Sequence, residues 1–114
     1  MSGTMTLRPI GELDLAQAAL LRPQWLDPID ECEPELVIVD LSQVTFVDVA
    51  GLRLIAGLVQ RQRARGGSVA VSNASAMILY LLQAASLSDL LDSVDALADR
   101  EAYDPVPAAG ASPR

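Results

Sequence analysis

The stretch Leu36-Val37-Ile38-Val39-Asp40-Leu41-Ser42-Gln43-Val44-Thr45-Phe46-Val47-Asp48-Val49-Ala50-Gly51 decides the fold. Its first six residues are apolar on both faces except for Asp40, which suits a central strand covered by helices. Ser42-Gln43 makes a polar break before a second short strand at 44–47. Beyond it, Leu52, Ile55, Ala56 and Val59 recur at helical spacing, with Arg53, Gln60, Arg61 and Ala64 turned away. Asp48 stands at the N-cap, placed to accept a hydrogen bond from the N–H of Ala50 or Gly51. A strand feeding a helix through a short loop is half of a crossover unit. The free N–H groups of the helix start can receive an anion or a partner. Residues 45–51 are therefore the expected working surface.

Downstream, Gly66-Gly67 ends this helix as a C-terminal glycine cap. Residues 68–72 alternate and are rich in valine, which predicts the next strand. Ser72 or Asn73 can cap a helix over 74–85 whose stripe is Met77, Ile78, Leu81, Leu82 and Ala85. Met77 reads as core filling rather than cofactor contact. Leu87, Leu90 and Leu91 continue the apolar pattern, a last helix is expected at about 94–103, and the tail 104–114 has the composition of a disordered end.

Upstream, residues 4–10 can form a strand before Gly11-Glu12-Leu13-Asp14 turns the chain. Asp14 can cap a helix carrying Leu15, Ala18, Ala19 and Arg22, which Pro23 should end or kink. Trp25 and Leu26 then cover the core from a short helical turn, and the acidic run 30–35 reads as a solvated connector. Strands alternating with helices favour an α/β layer architecture with a partly parallel sheet, in one domain over 1–103.

The composition narrows the function classes. With 114 residues, of which 51% are hydrophobic and only 4% aromatic, the chain supports one core built from Leu, Val, Ile and Ala. The absence of histidine removes His-based triads and histidine metal ligands, and a single cysteine, Cys32, among acidic neighbours disfavours both a disulfide and a reactive thiolate. A net charge of -7 argues against a nucleic-acid surface. Arg61, Arg63 and Arg65 close a helix, where cations complement the macrodipole. No apolar run approaches the roughly 20 residues of a bilayer span, and the first five residues are not of signal-peptide type, so the expected location is the cytoplasm, without membrane insertion.

No convergent set of catalytic groups is found. Asp40, the one charge inside an apolar strand, could serve as an acid or base. A strand-end carboxylate bonded to loop N–H groups explains it equally well. A small enzyme would require a deep pocket beside Asp40 and Asp48. Neither Gly51 nor Gly66-Gly67 belongs to a phosphate-cradling motif, and no metal or cofactor is implied.

Taken in order, Gly11-Glu12-Leu13-Asp14, the stretch from Leu36 to Asp48, Gly51-Leu52, and Arg65-Gly66-Gly67 with Val69-Ala70-Val71 resemble the STAS domain. That family comprises bacterial anti-sigma factor antagonists, stress-signalling scaffolds and cytoplasmic domains of sulfate transporters. The resemblance covers about residues 7–91. It implies a single α/β domain, a mixed sheet of about four strands packed with about four helices, that binds proteins and performs no catalysis. The implied partner is an anti-sigma factor of the serine-kinase type, whose engagement releases a sigma factor. The resemblance also admits a regulatory subunit of a membrane transporter, such as a lipid-transport ATPase, or a degenerate scaffold.

Two departures stand out. In anti-sigma factor antagonists the loop before the second main helix reads Asp-Ser-Ser-Gly, and the serine next to the glycine is phosphorylated by the partner. Here Asp48 and Gly51 match while Val49 and Ala50 replace the serines, so the phosphate acceptor is missing and the usual switch is not expected. The residues expected to meet a partner are Asp48, Val49, Ala50, Gly51 and Arg53, with Ser42 and Thr45 nearby. The family also has two strands before the Gly-Glu-Leu-Asp turn, whereas this sequence has room for one. The strand at 5–10 is then an edge, blunted by Arg8 and Pro9 or able to pair weakly with a second copy.

Overall fold

The computed structural model describes residues 3–86 and 93–96. In chain order the elements are β1 Thr4–Leu7, β2 Gly11–Leu13, α1 Leu15–Cys32, β3 Leu36–Asp40, β4 Val44–Val47, α2 Val49–Ala64, β5 Ser68–Ala74, α3 Ala76–Ala84 and β6 Ser93–Ala96. Four strands form one sheet in the order β1-β3-β5-β6, and β2 pairs separately with β4. The expected α/β fold stands. Every ladder among these strands is parallel rather than mixed. Each connection within the main sheet carries at least one helix, which is what parallel neighbours require.

The register brings Met5, Val37 and Val69, and then Leu7, Val39 and Val71, side by side on one face. The four valines are buried, and they meet Leu54, Ile55, Leu58 and Val59 of α2 with Trp25, Leu26 and Ile29 of α1 in a single core. That face of α2 also buries Gln62. The buried stripe is therefore turned from the expected one: Ile55 and Val59 keep their places, whereas Leu52 and Ala56 are only half-buried. The bed of β-branched residues from β3 and β5 selects Leu54 and Leu58 as the knobs.

Pro23 does not end α1. The helix runs through Pro23 and Pro28 to Cys32, and Glu33 closes it in the left-handed region at φ 47°. The expected short turn and half of the acidic connector are thus helical. Burial of Trp25, Leu26 and Ile29, worth about 1.5–3 kcal/mol per side chain, offsets a cost of about 3 kcal/mol for each interior proline. Asp30 in its last turn accepts hydrogen bonds from Arg61 at 2.7 Å and from Arg65 of α2. Two of the three clustered arginines therefore tie the ends of α1 and α2 together.

Two boundaries also move near the C-terminus. The strand after α2 extends to Ala74, and Ser75 caps α3 through a bond from the Ile78 N–H at 3.3 Å. Asn73, expected as a possible cap, adopts a left-handed φ of 59° inside β5 instead. At 93–96, where a helix was expected to begin, the chain forms β6 along β5, because an open parallel edge there offers backbone partners. The rest of that expected helix and the tail 104–114 lie outside the described residues.

Candidate functional site

The start of α2 is built on β2. The Leu13 carbonyl, at the end of β2, accepts the Asp48 N–H at 3.2 Å, while the Asp48 carboxylate accepts the Gly51 N–H at 3.1 Å. One residue past Leu13, the Asp14 carboxylate accepts the Gln17 N–H at 3.0 Å and starts α1. The two helices therefore begin beside each other, run the same way, and end beside each other at Asp30 and Arg65.

The expected site residues divide sharply. Val49 points outward at 61% exposure, Arg53 is exposed, and Ala50 and Asp48 are half-buried. Gly51 is buried: a Cβ there would collide with the Leu13 carbonyl and lie 2.9 Å from the Leu13 Cβ. Gly51 thus shapes the helix start from inside and offers no surface. Thr45 is exposed on β4, and Ser42 lies before that strand, at its opposite end from Asp48.

Ser42 belongs to a different cluster, centred on Asp40. That carboxylate accepts the Ser42 N–H at 3.0 Å, Asn73 Nδ2 at 3.1 Å and Arg8 Nε at 3.2 Å. Burial pushes the Asp40 carboxyl up, and the hydrogen bonds from Ser42, Asn73 and Arg8 outweigh it, leaving the group below the ordinary carboxylate range. Asp40 ties the loop after β1 to the ends of β3 and β5, which is the structural reading of its place in the strand. Among the described residues no cluster of His, Cys, Asp or Glu could hold a metal, and no helix is long and apolar enough to cross a membrane.

Two hollows flank the exposed start of α2. One, of about 220 Å³, lies between α1 and α2 and is lined by Leu15, Ala18, Ala19 and Arg22 on one wall and Ala50, Arg53 and Leu54 on the other. The second, about 320 Å³, is lined by Val49, Leu52, Arg53, Ala56 and Ala85. Neither is lined by Asp40 or Asp48, so neither joins the two carboxylates that acid/base chemistry would use. With Leu15 72% exposed on the first hollow and Val49 61% exposed on the second, the surface is apolar between shallow hollows, a form suited to a protein partner. The α1 wall was missed in the sequence. Its signal was Leu15, an apolar residue at the first helical position, followed by the small pair Ala18-Ala19.

Residues 1–101 match the STAS domain family. The anti-sigma-B factor antagonist of Bacillus subtilis (strain 168) is 32% identical over 82 residues, which cover 72% of this chain and 73% of that protein. The anti-sigma F factor antagonist of Paenibacillus polymyxa is 27% identical over 93 residues, covering 82% and 80%. Among solved structures, the Thermotoga maritima protein TM1081 superposes with a TM-score of 0.75 at 20% identity, over 84% of this chain and 82% of that one.

Proposed function

The chain belongs to the STAS domain family, and on that premise we propose that it is an anti-sigma factor antagonist, a non-catalytic module that docks on an anti-sigma factor of the kinase type and so releases a sigma factor. The observation that carries this reading is the exposed, apolar start of α2, where Val49 stands out beside a capped and otherwise undistorted helix end. The names of the two curated relatives support the same role. Ala50 stands where the family pattern has its phosphate acceptor and has no oxygen to carry one. A phosphate there would add about -1.5 to -2 charges to the docking surface. Without that acceptor, the module stays in its binding-competent state, and control falls on its abundance or on another site.

The test is displacement. A sigma factor held by an anti-sigma kinase of the same genome is mixed with this protein, and free sigma factor is measured. Release that scales with added protein is expected. No release from any such complex would overturn the reading. Incubation with the kinase and ATP should leave residue 50 unmodified.

A further inference from the structure

The described part of the chain has six arginines, and four of them are engaged: Arg8 with Asp40, Arg61 and Arg65 with Asp30, and Arg63 with a partner of its own. Arg22 and Arg53 have no hydrogen-bond or ion-pair partner among the described residues, and both stand on the hollow between α1 and α2. Arg22 lines it from α1 and Arg53 from α2, with Ala18, Ala19 and Ala50 among the other lining residues. In a chain of net charge -7, the two unengaged cations of the described fold thus line one apolar groove beside the proposed docking ridge.

We infer that the α1/α2 groove receives an acidic, apolar segment of the anti-sigma factor, with an aliphatic or aromatic side chain over the alanines and a carboxylate between Arg22 and Arg53. This rests on the proposed function and adds the chemistry of the partner's contact. Small lining residues leave room for a side chain in a hollow of about 220 Å³. Guanidinium groups match a carboxylate with paired N–H donors, and among the described residues neither arginine has a partner to give up. The overall negative charge makes this local positive pair the point where an acidic segment is attracted rather than repelled.

The anti-sigma kinases of the same genome are the probes, titrated with the wild-type protein, Arg22→Glu, Arg53→Glu, the double variant and Ala50→Asp over a range of NaCl concentrations. Each arginine reversal should weaken binding by about tenfold or more, and in the double variant added salt should strengthen binding, because it screens repulsion. Melting curves should be unchanged, since neither arginine holds the described fold together. Unchanged affinity and salt dependence in the arginine variants, with Ala50→Asp still weakened, would overturn the groove while leaving the docking ridge. Failure of every kinase to bind the wild type would overturn both. A dimer of the wild type that Arg22→Glu disperses would assign the groove to a second copy, and would also overturn the inference.

Discussion

Gly51 leaves no room for a side chain beside the carbonyl oxygen of Leu13, the same oxygen that accepts the Asp48 N–H at 3.2 Å. The Gly-Glu-Leu-Asp turn and the Asp-x-x-Gly helix start are thus one piece of structure, joined across β2 and β4. A methyl group at residue 51 would meet a backbone oxygen that is fixed by the β2 ladder, and would lie 3.0 Å from Val47 Cγ1. Gly51→Ala should therefore destabilise the fold by about 1–3 kcal/mol, readable as a lower denaturant midpoint. A midpoint equal to wild type would mean that Leu13 and Gly51 are not so closely packed.

Gly57 predicts the opposite sign. A Cβ there would lie 3.7 Å from the Arg22 guanidinium, an ordinary contact, in the middle of α2. Gly57→Ala should raise stability by about 0.5–1 kcal/mol, because alanine loses less backbone freedom than glycine on entering a helix. The pair of glycine variants, measured by the same chemical denaturation, separates packing from backbone entropy.

Gln62 is a buried polar residue of α2, and its Nε2 donates to the Pro34 carbonyl at 3.1 Å and to the Ser68 carbonyl at 3.2 Å. It fastens the start of β3 to the start of β5. Gln62→Leu keeps the bulk and removes both bonds but also the buried Oε1, which has no partner among the described residues, so it should cost about 1 kcal/mol despite being more hydrophobic. A gain in stability would show that the two carbonyls are satisfied without it.

Asp40 sets an acid limit. Its folded-state pKa is depressed by the bonds from Ser42, Asn73 and Arg8, which outweigh burial, so its contribution is present above the unfolded value of about 4 and is lost as pH falls through the lower folded value. Stability measured from pH 6 down to pH 2 should decline more gently in Asp40→Asn than in wild type. Parallel declines would remove Asp40 from the acid transition.

Legibility followed locality. The caps at Asp14 and Asp48, the strand at Leu36 and the glycine stop at Gly66 are written in adjacent residues, and the chain forms elements at each of these places. What escaped depended on distant partners. Pro23 and Pro28 look like helix breakers until Trp25 and Ile29 are seen buried in the shared core. The stripe of α2 could not be placed to within one residue before its sheet was known. The Asp40 cluster joins residues 8, 40, 42 and 73, and the Arg22–Arg53 groove joins two helices, so neither spacing could announce them. Asp48 caps α2 as its spacing predicts, whereas Gly51, expected at the contact surface, is buried against Leu13 and leaves Val49 and Arg53 as the exposed residues of that turn.

Docking at the start of α2 is tested most directly by Ala50→Asp. Residue 50 lies half-buried in the first turn of α2, where the helix dipole offsets part of the cost of a carboxylate, so the variant should remain folded at the titration temperature, as a melting curve checks. Its affinity for the anti-sigma kinase that the wild-type protein binds, measured by titration calorimetry, should fall by about tenfold or more, as a negative charge is placed on the contact surface. An affinity equal to that of the wild type would contradict docking at this helix start.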